Sequence, residues 1–188
     1  MAKMLNTILI IDVEATCWNG NPPPGEQAEI IEIGYAMLDV PKGHVQRSST
    51  VLVKPERSKV SAFCTELTTL TQTQVDQGVA FADACRLLET ELDAQSATWA
   101  SYGAYDRKQF MRQCQSFDVP YPLSDTHLNV KNLFALVYAL PREIGMAKAL
   151  ELMHHERHGT HHRALDDAQN IAHILAQLIS PIKTSPRR

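Results

Sequence analysis

The chain has 188 residues, of which 44% are hydrophobic and 21% are charged, a composition that excludes the disordered and fibrous classes of protein. Its length matches the usual size of one domain, so we expect a single domain over residues 1–180 and a basic, flexible tail at residues 181–188. The formal net charge of −3 argues against a protein that binds nucleic acid through a broad basic surface alone.

Several features favour a cytoplasmic location. No apolar run approaches the roughly 20 residues of a membrane span, so we expect no membrane association. The N-terminal apolar stretch is too short for a signal peptide and ends at Asp12. The cysteines lie far apart without a C-x-x-C pair, which favours reduced thiols over disulfides or a zinc ribbon. They are Cys17, Cys64, Cys85 and Cys114.

Three strands are predicted in the first part of the chain. Residues 7–13 are almost continuously apolar and rich in β-branched side chains, as in a central strand that is buried on both faces. The composition of residues 19–25 indicates a loop. Residues 30–40 and 45–53 are typical of two further strands, joined as a hairpin through residues 41–43.

Helices dominate the rest of the chain. Apolar residues at helical spacing predict a helix over residues 81–94, followed by a short strand at 97–102 and a helix over 105–117. The remaining predicted elements are a strand at 127–130 and helices near 131–139, 145–153 and 164–179, the last ending before Pro181. This order of elements predicts an α/β fold, a mixed five-stranded sheet flanked by helices.

Asp12 and Glu14 stand two residues apart at the end of the first predicted strand. Because side chains alternate between the faces of a strand, both carboxylates point the same way, roughly 6–7 Å apart along the chain. Their repulsion and partial burial cost free energy, which a bound divalent cation would relieve. Alternatively, the strand has already ended and both side chains are solvated.

Two further acids begin predicted helices. Asp167 shares one stripe of its helix with three apolar residues, whereas its neighbour Asp166 faces water. The apolar residues of this stripe are Ile171, Ile174 and Leu178. The helix dipole stabilises an acid in the first turn, but it does not explain why Asp167 lies on the apolar face. Asp106 occupies the first turn after the strand at 97–102, where dipole stabilisation alone is an alternative explanation.

Five of the eight histidines fall in one short segment: His154, His155, His158, His161 and His162. Such a cluster can bind zinc or nickel, and His154 and His158 have the i, i+4 spacing of ligands on a helix. We expect most of these imidazoles to be solvated. His162 is the exception, because the loop that carries it enters the helix of Asp167, where it can reach a water bound beside that carboxylate.

The acids and His162 resemble the signature of the DEDDh 3′→5′ exonucleases. The motif D-x-E reads Asp12-Val-Glu14, the middle acid is Asp106, and H-x-A-x-x-D spans His162 to Asp167. His161 also has an aspartate five residues later, but only the 162 register places Ala164 correctly. Longer runs resemble the Eri-1-like branch, whose members trim histone-mRNA ends and small interfering RNAs. These runs are residues 10–18, 29–34, 63–68 and 161–172.

The chain departs from this family at two places. Where the family has W-G-x-W-D before its third acid, the chain reads Ala100-Ser-Tyr-Gly-Ala-Tyr-Asp106. The family pattern E-L-T-G-I appears as Glu66-Leu-Thr-Thr-Leu70. Both departures fall where the family holds the terminal nucleotide, so they bear on base stacking and substrate preference and not on the metal site.

The resemblance implies a ribonuclease-H-like sheet with the site at one edge of its central strand. It further implies two Mg²⁺ or Mn²⁺ ions held by the four acids, with His162 as general base. The implied substrate is the 3′ end of a single strand, preferably RNA, and the implied products are nucleoside 5′-monophosphates. Contacts to the last nucleotide are expected from Ala15, Thr16, Leu70, Tyr102 and Tyr105.

Two other functions remain open from the sequence. The same five residues serve 3′→5′ exonucleases that act on DNA. A non-catalytic module that binds metal or nucleic acid through the histidine segment is the alternative from another class of protein.

Overall fold

The computed structural model of the chain describes residues 6–184. Its strands are β1 (Thr7–Ala15), β2 (Ile30–Asp39), β3 (His44–Leu52), β4 (Trp99–Ser101) and β5 (His127–Asn129). Its helices are α1 (Ala62–Thr68), α2 (Gln72–Val75), α3 (Phe81–Leu92), α4 (Tyr105–Phe117), α5 (Val130–Val137), α6 (Met146–Leu152) and α7 (Ala164–Thr184). Among the described residues, no helix combines the length and the hydropathy that a membrane span requires.

The five strands form one mixed sheet in the order β3-β2-β1-β4-β5. The hairpin of β2 and β3 pairs with β1 in antiparallel fashion, whereas β4 and β5 run parallel to β1. Helices cover both faces of the sheet. The predicted fold class is therefore confirmed.

The position of β1 explains its nearly continuous apolar sequence. Ile8 and Ile10 pack on one face of the sheet, in a core that includes α5, α6 and α7. Leu9, Ile11 and Val13 pack on the other face, against residues of α3 and α4. Because both faces of β1 are covered, its side chains are apolar on both, as expected of a central strand.

Three differences from the predicted elements bear on the site. Strand β1 continues to Ala15, because β2 pairs with it as far as Ile30, so Asp12 and Glu14 lie within the strand and not at its end. Helices α1 and α2 were not predicted. Each is short and begins at a capping hydroxyl, Ser61 or Thr71, which accepts a hydrogen bond from the first turn.

The prediction that the last helix ends before Pro181 is wrong, since α7 extends to Thr184. Proline lacks one amide donor, but its fixed φ suits a helix, so the chain can remain helical after losing one hydrogen bond. Residues 181–184 of the predicted flexible tail are therefore helical. The rest of that tail lies outside the described residues. All four cysteines are free thiols, as predicted.

Candidate active site

A cleft of about 400 Å³ opens beside the carboxyl-terminal half of β1. All four predicted acids line it, namely Asp12, Glu14, Asp106 and Asp167, and we call this space the acidic cleft. Single carboxylate oxygens of Asp12, Glu14 and Asp167 lie within 4.8 Å of one another. The fold thus brings together acids that are up to 155 residues apart in the sequence, from Asp12 to Asp167.

Gly34 allows α7 to approach the sheet next to Asp12. The register of β1 and β2 pairs Asp12 with Gly34. A Cβ atom on Gly34 would lie 2.0 Å from the backbone carbonyl carbon of Ala164, the first residue of α7. The start of α7 therefore rests directly on the backbone of β2, and this contact places Asp167, in the first turn of the helix, beside Asp12.

Glu32 holds the start of α7 in this position. It is fully buried, and its Oε2 accepts a hydrogen bond of 2.9 Å from the amide of Ala164. The guanidinium of Arg163 donates to both of its carboxylate oxygens, at 3.0 and 3.2 Å. Glu32 was not predicted as a site residue. The available signal was an acid inside a run of apolar strand residues, the same signal that identified Asp12.

A hydrogen bond to the backbone of β1 fixes Asp106 in the cleft. Strand β4 pairs with β1 only near Leu9 and Ile10 in the described register, so the amide of Val13 lies beyond the paired region. Asp106 Oδ1 accepts a hydrogen bond of 3.1 Å from this amide. Burial raises the pKa of Asp106 to about 6, although its own amide, Val13 and the Ser101 hydroxyl stabilise the charged form.

The four carboxylates lie close together at a high electrostatic cost, since Glu14, Asp106 and Asp167 are buried and Asp12 is partly buried. Burial, and then Asp106, Glu14 and Asp167, raises the pKa of Asp12 well above its usual range. Burial and the charge of Asp167 raise the pKa of Glu14 to about 8. Among the described residues, the side chains that form ion pairs with these four acids are the imidazoles of His161 and His162. Since the donors are all carboxylate oxygens, the cluster fits a hard divalent cation such as Mg²⁺ or Mn²⁺.

Two adjacent histidines stand at the rim of the cleft. His162 adopts φ of 60°, its amide donates to Asp167 Oδ2 at 3.0 Å, and its Nδ1 lies 3.9 Å from Glu14 Oε1. His161 stacks on His162 with ring centroids 3.9 Å apart, and its Nδ1 lies 3.1 Å from Asp167 Oδ2. Burial and His161 lower the pKa of His162, which favours its neutral form.

The expected helical spacing of His154 and His158 is wrong. Helix α6 ends at Leu152, and His154 has a left-handed backbone with φ of 54°, so neither histidine lies on a helix. The reversal of the chain at His154 lets the amide of His155 bond to the Leu150 carbonyl at 2.9 Å, a common way to end a helix.

The predicted nucleotide contacts divide into two groups. Ala15, Tyr102 and Tyr105 line the acidic cleft, and Tyr105 is 55% exposed. Thr16 and Leu70 are buried outside it. The Thr16 hydroxyl accepts a hydrogen bond from the Glu29 amide, and Leu70 packs in a small core with Ile31, Cys64 and Val75. The structure therefore does not bring Thr16 and Leu70 to the cleft.

Two apolar side chains in the cleft were not predicted. Leu67 of α1 is 37% exposed, and Met146 begins α6. Both offer apolar surface beside the acids, where a nucleobase could pack. The signal for Leu67 was present in Glu66-Leu-Thr, because Cys64 and Thr68 form the buried side of that helix and leave Leu67 at its edge.

The chain matches known exonucleases over most of its length. The family model described as exonuclease, of the RNase T type, matches residues 9–175. The 3′-5′ exoribonuclease 1 of Rattus norvegicus is 32% identical over 182 residues, which covers 92% of this chain and 52% of that relative. The probable 3′-5′ exonuclease KapD of Bacillus subtilis is 34% identical over 172 residues, covering 87% of this chain and 80% of that protein.

A solved structure gives the same result. The nuclease domain of 3′hExo, a DEDDh family member bound to rAMP, superimposes with a TM-score of 0.86 and 29% identity, covering 94% of this chain and 93% of that domain. The chain spans about half the length of the mammalian exoribonucleases that it matches. Its sequence, fold and four converging acids show that it belongs to the DEDDh exonuclease family, in the Eri-1-like branch.

Proposed function

We propose that this chain is a metal-dependent 3′→5′ exonuclease that hydrolyses single-stranded RNA to nucleoside 5′-monophosphates. The observation that carries the proposal is the convergence of Asp12, Glu14 and Asp167, whose oxygens lie within 4.8 Å of one another, with no permanent cation paired to them in the described residues. Membership of the exonuclease family supports the direction and the type of reaction.

The four acids would hold two Mg²⁺ or Mn²⁺ ions. Asp12, Glu14 and Asp167 form one set of ligands, and Asp106 lines the same cleft. When bound, such ions neutralise the scissile phosphate and lower the pKa of an attacking water. Two divalent ions would change the formal charge of the chain from −3 to about +1, with the positive charge concentrated at the cleft.

His162 would accept the proton of the attacking water. Its lowered pKa leaves the imidazole neutral at physiological pH, which is the form that can take up a proton. His162 lies on the segment that enters α7, within reach of the cleft and close to Glu14 and Asp167. After proton transfer, the adjacent carboxylates would stabilise the imidazolium.

Two findings support RNA as the preferred substrate. The rat and human relatives are named exoribonucleases, and the nuclease domain of 3′hExo was solved with rAMP, a ribonucleotide. In the cleft of this chain, Tyr102, Tyr105 and Leu67 offer surface for the terminal base and sugar. The four free cysteines fit a reducing compartment, and we propose the cytoplasm as the location.

Matched oligonucleotides test this function. RNA and DNA of one sequence, labelled at the 5′ end, are incubated with the protein and Mg²⁺, and the products are sized. We expect RNA to shorten stepwise from its 3′ end, with release of nucleoside 5′-monophosphates and no reaction in EDTA. Asp12→Ala is the inactive control. Internal cleavage would contradict the exonuclease, and faster shortening of DNA would favour the alternative substrate.

A further inference from the structure

A second pocket, of about 340 Å³, lies away from the acidic cleft. Four histidines line it, His44, His155, His158 and His173, and we call it the histidine pocket. They come from the start of β3, from the segment between α6 and α7, and from α7 itself. Among the described residues, the histidine pocket and the acidic cleft have no lining residue in common.

His155 and His173 form the centre of this pocket. Their ring centroids are 3.7 Å apart, with the ring planes inclined at 45°. Nδ1 of His155 lies 2.9 Å from the Glu156 carbonyl, which can only accept, so Nδ1 donates this hydrogen bond and Nε2 is the nitrogen left to bind a metal. Burial and the neighbouring His155 lower the pKa of His173. Nε2 of His173 lies 2.8 Å from the side-chain amide nitrogen of Gln177, which can only donate, so this nitrogen carries the lone pair that a metal needs, and a bound metal would take the place of Gln177.

The backbone around the pocket is anchored independently of any ligand. The amide of His155 bonds to the Leu150 carbonyl at 2.9 Å, which ties it to α6. The side chain of Asn170, on α7, bonds to both the amide and the carbonyl of His158, at 2.9 and 2.8 Å. The backbones of His155 and His158 are thus held in place, and both side chains are exposed.

We propose that the histidine pocket is a second metal site, which binds a borderline transition metal such as Zn²⁺ or Ni²⁺ through His155 and His173, with His44 or His158 as a further ligand. Imidazole nitrogen suits these metals, whereas the carboxylate oxygens of the acidic cleft suit Mg²⁺ and Mn²⁺. The Nδ1 contact of His155 with a backbone carbonyl is the usual arrangement behind a metal-bound histidine. The two sites therefore select different ions.

A metal at this site would link α7, β3 and the segment between α6 and α7. His173 belongs to α7, His44 to β3, and His155 and His158 to the segment that also carries His162. A bound ion would cross-link that segment to the helix and to the sheet, in addition to the hydrogen bonds of Asn170. The proposal stands on these four histidines and does not depend on the nuclease activity.

Titration calorimetry with ZnCl₂ tests the site in an Asp167→Asn background. Ligand atoms of His161, His162 and Asp167 also lie within 4.8 Å of one another, so Asp167 belongs to both groups of potential ligands at the acidic cleft, and this substitution removes a carboxylate from each. We expect the Asp167→Asn protein to bind one equivalent of Zn²⁺. Adding His155→Ala and His173→Ala should weaken binding by at least about tenfold. His154→Asn is the matched control, because His154 lies in the same segment, does not line the pocket and has a backbone that asparagine tolerates.

Thermal unfolding gives a second readout that separates metal loss from misfolding. Zn²⁺ should raise the Tm of the Asp167→Asn protein and leave unchanged that of the variant without His155 and His173. If that variant is unstable without metal, the single variant His155→Gln takes its place in both measurements. The proposal would be overturned if Zn²⁺ affinity and the Tm shift were the same with and without these histidines. It would also be overturned if the Asp167→Asn protein did not bind Zn²⁺.

Discussion

The carboxylate of Asp12 lies where an ionised acid is least stable, inside the sheet and beside other carboxylates. Glu14 is the next residue on the same face of β1, and its carboxylate also lies in the acidic cleft. This placement makes binding of a divalent cation favourable, because the cation removes a repulsion that the folded chain otherwise carries. The contribution of single acids can therefore be measured by varying the pH and the concentration of the metal ion.

Glu14 should make the metal-free protein less stable as the pH rises. Burial and Asp167 raise the pKa of Glu14 from 4.5 to about 8. Between these values the unfolded chain releases the proton that the folded protein keeps, so the free energy of unfolding falls, by up to about 1.4 kcal/mol per pH unit for one group. We expect the Tm of EDTA-treated protein to decline from about pH 5 to pH 8, as the raised pKa requires.

The control for this prediction is Glu14→Gln, which cannot ionise and should flatten the decline. Mn²⁺ binds the ionised carboxylates, so it should raise the Tm more at pH 8 than at pH 5. A Tm that rises over this range in EDTA would contradict the placement of the buried acids.

Substitution of His162 should separate turnover from metal binding. We expect His162→Asn to lower kcat by about 10²- to 10⁴-fold, because the water loses its proton acceptor. Asparagine tolerates the left-handed backbone at this position, so the loop should keep its shape. Mn²⁺ affinity, measured by calorimetry, should change little, whereas Asp12→Ala should lose both activity and Mn²⁺ binding.

His161→Asn is the matched variant, because His161 also contacts Asp167 and stacks on His162. We expect a smaller loss of kcat from it. Full activity of the His162 variant, or a loss in kcat that is larger for the His161 variant, would assign the proton acceptor to His161 instead.

At the scale of elements, the acidic cleft depends on how α7 packs against β2. The helix contacts the strand at Gly34, and Glu32 binds the amide of its first residue, so Asp167 is positioned by the backbone and by a buried ion pair with Arg163. Neither Gly34 nor Glu32 lines the acidic cleft. They act by fixing where the last acid of the cluster lies.

Gly34→Ala should weaken metal binding although Gly34 does not line the acidic cleft. The added Cβ would lie 2.0 Å from the backbone of Ala164, so α7 must move away from β2, and Asp167 must move with it. We expect weaker Mn²⁺ binding and a loss of stability of about 1–3 kcal/mol, both measurable from denaturation curves with and without Mn²⁺. Gly145→Ala serves as the stability control, because a Cβ there would meet no atom within 4 Å. Wild-type Mn²⁺ affinity in Gly34→Ala would refute the positioning role.

The sequence predicted the elements whose pattern is long and periodic. Strand β1 and helix α3 were found because their apolar patterns continue over many residues, and helix α4 has the predicted bounds. Helices α1 and α2 were missed, because they are short and their stability comes from caps and from contacts distant in sequence. The continuation of α7 past Pro181 was missed because proline usually marks a helix end.

The site was predictable to the extent that its residues follow a motif. The four acids were found from their spacing and from the face of the helix that carries Asp167. The close approach at Gly34 and the apolar surface of Leu67 and Met146 depend on tertiary packing, which a single sequence does not reveal. For the same reason Leu70 was expected in the cleft, although it is buried in a separate core.

For the whole molecule, the distribution of charge predicts a weak dependence on salt. In the described part of the chain no lysine or arginine lines the acidic cleft, and the formal net charge is −3. A single strand that contacts Z basic side chains gives a slope of about −0.7Z in a plot of log K against log salt. With few such contacts, we expect 1/KM at fixed Mg²⁺ to fall less than about tenfold between roughly 50 and 200 mM salt. A steeper fall would reveal basic contacts outside the cleft.

The acids and the histidine belong to different kinds of structural element. The acids are built into the paired core of the sheet and the helices packed on it, whereas His162 stands on a connection between two helices. A change in that connection can therefore slow the chemistry while leaving cation affinity intact. Substitutions in this connection could thus change the turnover of such an enzyme during evolution while its metal ligands stay the same.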